Sequence, residues 1–154
     1  MKKNERLLLV EQIDRKLAGF RDVKDMAPPP DGWLRAVRIA LGMSLRQFGG
    51  RMRMTPQSAK ELEVREASGS ITLRSLREAA GALGMRLVYG LVPIDGSIDA
   101  MIERRAEQLA KEIVLRTSAS MKLEDQENSP ARLKKAVKQR AAMIKEEMPR
   151  YLWS

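Results

Sequence analysis

The sequence "SLRQFGGRMRMTPQSAKELE", residues 44–63, carries two helix start signals in close succession. Ser44 is a residue type that caps helix N-termini through its hydroxyl. Thr55 repeats that signal, and Pro56 after it takes the first helical position, where its missing N–H costs nothing. The stretch therefore predicts two helices with a turn between them, at about 45–52, 53–54 and 55–65.

The two predicted helices differ in their surfaces. The first has four inward positions at helical spacing, Leu45, Phe48, Gly49 and Met52. The second has only Ala59 and Leu62 facing inward, and its other positions are mostly charged or hydrogen-bonding: Gln57, Ser58, Lys60, Glu61, Val64 and Arg65. The second helix therefore presents hydrogen-bonding groups at its outer surface.

Two short helices joined by a tight turn, with further helices completing a core, are the geometry of a helix-turn-helix DNA reader. The major groove of DNA, about 12 Å wide, admits one α-helix, and only the N-terminal outer part of that helix reaches base edges. A short second helix that starts sharply and is polar outside fits this requirement.

The chemistry of the side chains predicts their roles on DNA. Gln57 can pair with adenine through two hydrogen bonds, Lys60 can donate to guanine or to a phosphate, and Ser58 can contact either. Glu61 can accept only from cytosine N4 and otherwise repels phosphate. The predicted phosphate contacts, which position the protein without reading sequence, are Arg46, Arg51, Arg53, Thr55 and Arg65.

The composition points to a polyanionic partner and away from most enzymes. The 154 residues carry a formal net charge of +9 with a pI near 10.2, and residues 33–65 and 130–154 each contribute +5. The absence of Cys and His excludes disulfides, thiolate nucleophiles, His bases and ordinary zinc sites. No phosphate-binding glycine loop or serine-nucleophile motif is present, so we expect no enzyme, no cofactor and no metal.

The chain is expected to be cytoplasmic. Its charged start, "MKKNERLLLVEQ", has an apolar run too short for a signal peptide, and no stretch approaches the roughly 18 apolar residues of a membrane span.

Working outward, we predict three segments. Residues 1–32 combine an amphipathic helix over 3–20, with Leu9, Ile13, Leu17 and Phe20 on one side, and a proline-rich linker. Residues 33–92 hold the predicted helix-turn-helix domain, with further helices at about 33–41 and 72–83. The inward residues of these two helices are Leu34, Val37 and Leu41, and Leu73, Leu76, Ala80 and Leu83.

The segment "MRLVYGLVP", residues 85–93, changes to β-branched and aromatic residues and predicts a short strand over 86–92. The chain offers no second strong strand candidate. Pairing with the same segment of a second subunit, in a homodimer, is one solution, and covering an apolar patch within the monomer is the other.

Residues 93–154 are predicted to be a helical extension. A helix over 97–116, capped by Ser97 or Asp95, is followed by a polar loop and by a basic helix that starts at Ser129-Pro130. The basic helix carries an apolar stripe of Leu133, Val137, Ile144 and Met148. Three roles are open for this helix: it contacts phosphates, it docks a partner with Tyr151 and Trp153 as anchors, or its charged face is simply solvated.

Residues 33–84 resemble the helix-turn-helix domain of the Xre/Cro family of phage-repressor-like regulators. Ser44, Gly49, Met54 and Thr55 match the family pattern, and "ELE" at 61–63 resembles the end of its recognition helix. The resemblance implies a mainly α fold: a lambda-repressor-like domain of four to five short helices, with one short β-strand and flanking amphipathic helices added from the rest of the chain.

A wider span, from "WLRAVRIALGMS" to "GSITLRSLREAAGALGMRLVYGLVP", resembles the family called mobile mystery protein A, over roughly residues 1–128. Members of that family are small helix-turn-helix proteins encoded in mobile-element contexts beside a Fic-domain protein. The resemblance implies a regulator of its neighbouring gene, with an antitoxin-like role.

Two positions depart from the pattern of the Xre/Cro family. Arg53 stands where a glycine is usual, and a positive φ there would cost about 1 kcal/mol or more. Gly49 and Gly50 within the first helix each cost on the order of 1 kcal/mol relative to alanine. Gly49 is acceptable if it permits close packing.

Two functions follow as alternatives. The first is a homodimeric, sequence-specific repressor that binds double-stranded DNA in the major groove and regulates its own promoter. The second is an interaction protein whose terminal helices bind and inhibit the Fic-domain protein. Binding of single-stranded RNA is a weaker alternative, because the chain lacks the aromatic side chains on which unpaired bases stack.

Overall fold

The computed structural model describes residues 1–123 and 129–154, and these residues are mainly α-helical, as predicted. Seven α-helices are described: α1 (Lys3–Leu17), α2 (Trp33–Ala40), α3 (Leu45–Arg51), α4 (Pro56–Ser68), α5 (Leu73–Ala82), α6 (Ile98–Leu123) and α7 (Pro130–Glu147). Two 3₁₀ helices follow α1 and α7, at Ala18–Val23 and Arg150–Trp153. Within these residues no helix is both long enough and apolar enough to cross a membrane.

The chain divides into two compact units. The central unit, Asp25–Gly90, contains α2 to α5. The terminal unit combines both ends of the chain, Met1–Lys24 and Leu91–Ser154, and contains α1, α6 and α7. The amino-terminal helix thus belongs with the carboxyl-terminal helices.

The central unit is built around one apolar cluster, and each of its four helices contributes at least one buried residue to it. The buried members are Leu34, Phe48, Ala59, Ala79 and Leu83. Phe48 is fully buried and is the largest of these side chains, so α3 is anchored through it. Because α4 contributes only an alanine to the cluster, its axis can lie close to its neighbours.

The terminal unit has a separate core. Ile102, Ala106 and Ala110 recur at four-residue intervals along α6, and they pack with Ala141, Ile144 and Leu152. The stripe predicted for α7 is confirmed, with Ile144 buried and the other three members half-buried. Asp14 of α1 caps α6 by accepting hydrogen bonds from the N–H groups of Ile98 (2.7 Å) and Asp99 (3.2 Å).

The strand predicted over 86–92 is not formed. Residues 85–93 have no helix, turn or strand assignment, and the described residues contain no strand at all. The physical reason is that a strand is defined by hydrogen bonds to a neighbouring strand, which the described part of a single chain does not supply.

Three further predictions about local structure are wrong. The helix placed at 97–116 runs to Leu123, so residues 117–123 are helical where a loop was expected; the remainder of that loop, 124–128, lies outside the described residues. Leu41 and Leu73 are exposed because they lie at the end of α2 and at the first position of α5, beyond the reach of the core. Leu9 is also exposed, at 41%.

Candidate nucleic-acid interface

The helix start at Ser44 is confirmed, and it fixes where α3 begins. The Ser44 hydroxyl accepts from the Gln47 backbone N–H at 3.1 Å, and the Gln47 side-chain oxygen accepts from the Ser44 N–H at 2.8 Å. This reciprocal pair satisfies two N–H groups that a helix start otherwise leaves without partners. Arg46, in the first turn of α3, is therefore held at a defined, exposed position.

The turn between α3 and α4 closes on Gly49 and Arg53. The Met54 N–H donates to the Gly49 carbonyl at 2.9 Å, and the Arg53 N–H donates to the Gly50 carbonyl at 3.2 Å. This double closure requires a left-handed residue, and Arg53 supplies it with φ of 55°. Arg53 thus has the positive φ that was considered for it from the sequence.

The two glycines of α3 play different roles. A Cβ placed on Gly49 would lie 2.7 Å from the Met54 carbonyl oxygen and 3.0 Å from that of Thr55. A Cβ on Gly50 would meet nothing within 4 Å. Gly49 therefore permits the close approach of α3 to the start of α4, whereas Gly50 is not needed for packing.

The start of α4 is as predicted. Thr55 Oγ1 accepts from the Ser58 N–H at 3.1 Å, and Pro56 is the first helical residue. The Thr55 hydroxyl also donates to Ser58 Oγ at 3.0 Å. Both hydroxyls are therefore engaged in the cap, and Ser58 is half-buried, so these two side chains are less available to a ligand than the residues after them.

The inner face of α4 carries two carboxylates, Glu63 and Glu66, that the sequence pattern did not single out. Glu63 is 4% exposed and forms an ion pair with Arg38 of α2, in which Arg38 Nε and Nη2 each bind one carboxylate oxygen. Arg38 Nη1 also donates to the Met43 carbonyl at 2.9 Å. The signal in the sequence was an acidic residue directly beside Leu62 on the buried face, which calls for a cation nearby.

The second carboxylate, Glu66, caps α2 from outside that helix. Its two oxygens accept from the N–H groups of Trp33 (2.9 Å) and Leu34 (3.1 Å). Gly32 precedes α2 and brings no capping side chain, and a Cβ there would overlap the Glu66 carboxylate at 2.1 Å. Glu63 and Glu66 thus tie α4 to α2 at two successive points, which fixes the direction in which the outer face of α4 points.

The outer face of α4 is free. Gln57, Lys60, Glu61 and Arg65 are exposed, as the sequence predicted. Gln57 and Lys60 have no side-chain hydrogen bond or ion pair to any described residue, whereas Arg65 Nη2 lies 3.6 Å from Glu61 Oε2. The negative charge of Glu61 is therefore partly neutralised by Arg65. The polar groups of this face that have no partner among the described residues are the Gln57 amide and the Lys60 ammonium.

The remaining predicted contacts surround α4 unevenly. Arg46 and Arg53 are exposed on α3 and in the turn. Arg51 is exposed too, but its Nη1 donates to the Ala82 carbonyl at the end of α5, at 3.1 Å. Part of its guanidinium therefore stabilises the fold, so Arg51 is a weaker candidate for phosphate contact than the other two arginines.

The candidate interface is thus the outer face of α4, with Gln57 and Lys60 at its centre and with Arg46 and Arg53 on the preceding helix and turn. Comparison of the chain with protein-family models, with curated proteins and with solved structures gives no match.

Proposed function

We propose that the chain is a DNA-binding transcriptional regulator, a repressor in which α3 and α4 form a lambda-repressor-like helix-turn-helix and α4 enters the major groove. The observation that carries the proposal is the contrast between the two faces of α4. Its inner face is held by Ala59, Leu62 and two carboxylates, while its outer face offers Gln57 and Lys60 without partners among the described residues.

In this function the side chains divide into readers and positioners. Gln57 reads adenine, and Lys60 reads guanine or holds a phosphate. Arg46, Arg53 and Arg65 neutralise phosphates, as does Arg51 to a lesser degree. The positive end of the α4 dipole also lies at Thr55 and favours a phosphate there, although Pro56 has no N–H and the Ser58 and Ala59 N–H groups already bond to Thr55.

The proposal predicts opposite behaviour for two alanine variants. Gln57→Ala should cost roughly 1–3 kcal/mol on the preferred duplex and much less on a scrambled one, because a reader loses its base. Arg46→Ala should weaken binding to both duplexes alike and reduce the slope of log K against log salt by about 0.9. Fluorescence anisotropy over a salt series, on a duplex selected from random DNA, measures both.

A control variant and an adverse outcome complete this test. Lys16→Ala removes a positive charge from α1, a helix of the terminal unit that has no part in the proposed interface, and should leave both quantities unchanged. Equal loss on both duplexes for Gln57→Ala would remove its reading role, and no binding to any duplex at low salt would end the proposal.

The regulator is proposed to be autoregulatory and antitoxin-like, acting in the cytoplasm on the promoter that it shares with its neighbouring gene. This part follows from the resemblance to mobile mystery protein A. A reporter gene fused to that promoter should be repressed by the chain and released by the Gln57→Ala variant.

A second candidate function is inhibition of a Fic-domain protein by the terminal unit. The observation in its favour is an exposed leucine run on α1, where Leu7, Leu8 and Leu9 are 45%, 56% and 41% exposed. Co-expression with the neighbouring Fic-domain protein and a pull-down separate the two functions. A complex that survives deletion of residues 33–84 favours inhibition. If the Gln57→Ala variant loses affinity for DNA but still forms the complex, the DNA-binding and protein-binding surfaces are distinct.

A further inference from the structure

The segment that follows α5 leaves its backbone unpaired. The Met85 N–H donates to the Ala80 carbonyl at 2.8 Å and completes the end of α5. From residue 86 to residue 92, no backbone N–H or C=O makes a hydrogen bond to any described residue. A row of free donors and acceptors of this kind is what the edge of a sheet presents to an incoming strand.

The same segment exposes large apolar side chains. Val88 is 68% exposed, Tyr89 61% and Leu91 78%, and Arg86 is the only charged residue from 86 to 92. Unlike scattered surface residues, these follow one another along the chain. The segment therefore combines unpaired backbone with contiguous apolar surface.

One side of the segment already rests on the central unit. Residues 85–88 line an apolar hollow of about 310 Å³ together with Trp33 and Leu34 of α2 and Leu76 of α5. Leu87 is half-buried there, whereas its neighbours Val88 and Tyr89 are exposed. An isolated two-stranded ribbon is marginal in water, but a ribbon that packs on helices has the extra layer that it needs.

We propose that residues 86–92 pair antiparallel with the same residues of a second copy of this chain, in a two-stranded ribbon whose two-fold axis passes at Tyr89. Centring on Tyr89 uses the whole segment, because it is the middle residue. Leu87 then lies opposite Leu91 of the second copy, Val88 lies opposite Gly90, and Arg86 lies opposite Val92. Pro93 ends the ribbon because it has no N–H to donate.

Charge decides the direction of the pairing, and the low charge of the segment permits a second copy to approach there. Each chain carries +9, so two copies associate most readily where charge is sparse. Antiparallel pairing places the two Arg86 side chains at opposite ends of the ribbon, whereas parallel pairing would place them side by side. The argument for pairing uses only the properties of residues 86–92. That the resulting dimer presents two α4 helices to two DNA half-sites rests on the proposed function.

The chain has no cysteine, so single-cysteine variants test the register without background. Tyr89→Cys should form a disulfide-linked dimer under mild oxidation, because directly opposite residues in an antiparallel ribbon have Cα atoms about 4.5–5.5 Å apart. Leu87→Cys and Leu91→Cys should cross-link poorly alone and well when mixed. Ala142→Cys, at an exposed site on α7, is the control and should remain monomeric on a non-reducing gel.

Light scattering of cysteine-free protein gives a second measurement. Wild type should have a mass of twice 17.4 kDa. Val88→Asp should raise the dimer dissociation constant at least tenfold, whereas Leu115→Asp, at an equally exposed apolar site on α6, should not. Circular dichroism checks that both variants stay folded.

Three results would overturn the pairing: a monomeric wild type at 0.1 mM, a Tyr89→Cys variant that cross-links no better than the Ala142→Cys control, or no gain on mixing the two leucine variants. A monomer that binds DNA specifically would overturn the pairing and leave the proposed function standing. A cross-linked dimer that binds no duplex would support the pairing and overturn the proposed function.

Discussion

At the scale of single residues, the turn before α4 depends on one of two adjacent glycines, Gly49 and Gly50, whose surroundings differ. Gly49 faces the Met54 carbonyl across a gap too narrow for a methyl group, while Gly50 faces open space. From the sequence, Gly49 was acceptable on the condition that it permits close packing, and the structure meets that condition. Gly49 was also the one of the two that the helical spacing placed inward, and the structure adds that a Cβ on Gly50 would meet nothing within 4 Å.

Alanine at these two positions should therefore change stability in opposite directions. Gly50→Ala should raise the free energy of unfolding by about 0.5–1 kcal/mol, because alanine loses less conformational entropy in a helix. Gly49→Ala should lower it by about 1–3 kcal/mol, because the backbone must shift to admit the methyl group. Urea denaturation measures both, and a loss of equal size at the two sites would contradict this account of the turn.

Arg53 carries strain of a different kind, since its φ of 55° is unfavourable for any residue with a Cβ. Arg53→Gly should raise the free energy of unfolding by about 1 kcal/mol, and Arg53→Val should lower it by at least about 1 kcal/mol. Arg46→Gly is the matched control in the helical region and should destabilise by about 1 kcal/mol. If Arg53→Gly also destabilises, the side chain contributes more to folding than its strain removes.

At the scale of helices, α4 is positioned by two carboxylates on its inner face. Glu66 caps α2 and Glu63 pairs with Arg38, so the proposed reading helix is tied to α2 at two points. The sequence predicted where α3 and α4 begin because each start is signalled by hydrogen bonds within four residues. It did not predict these ties, because their partners lie 25 to 33 residues apart.

The buried pair should show strong non-additivity. Arg38→Met or Glu63→Met alone should each cost about 3–5 kcal/mol, because each leaves one buried charge without its partner. The double variant should lose less than either single variant. Urea denaturation of all four proteins measures the coupling, with the exposed pair Arg65 and Glu61 as control, whose coupling should stay below about 1 kcal/mol.

Additive losses in that experiment would mean that the two charges act on stability independently, and the ion pair would then have no part in orienting α4.

The absence of a strand at 86–92 in the described residues likewise shows that an element can depend on a partner outside its own segment. The residue types of 86–92 favour a strand, yet a strand also needs a neighbour, and the described part of one chain does not offer it. Composition therefore predicts the tendency of the segment, and pairing decides whether the tendency is realised.

At the scale of the whole molecule, the chain is two units, and the central one interrupts the other in sequence. The division predicted at 1–32, 33–92 and 93–154 placed the two ends apart. Nothing in the local pattern of α1 indicates that Asp14 caps α6, a contact that spans 84 residues. Long-range contacts of this kind group the ends into one unit.

The central unit should fold by itself, because its buried cluster lies wholly within Asp25–Gly90. A fragment of residues 25–90 should be helical and unfold cooperatively, with a free energy of about 3–5 kcal/mol typical of so small a core. A fragment that stops at Ala82 lacks the buried Leu83 and should be less stable by about 2–5 kcal/mol. Circular dichroism during thermal unfolding compares them, and a disordered 25–90 fragment would show that its stability depends on the ends of the chain.

Local signals in the sequence were enough to predict the helical class, the two caps at Ser44 and Thr55 and the polar outer face of α4. These features follow from φ preferences, hydrogen bonds within one turn and the periodicity of apolar residues, all of which are local. The tertiary structure decided the left-handed φ of Arg53, how closely the Met54 carbonyl approaches Gly49, which carboxylates are buried, how the two ends join and that residues 86–92 remain unpaired. Those outcomes depend on which distant residues meet, and that is settled only when the cores close.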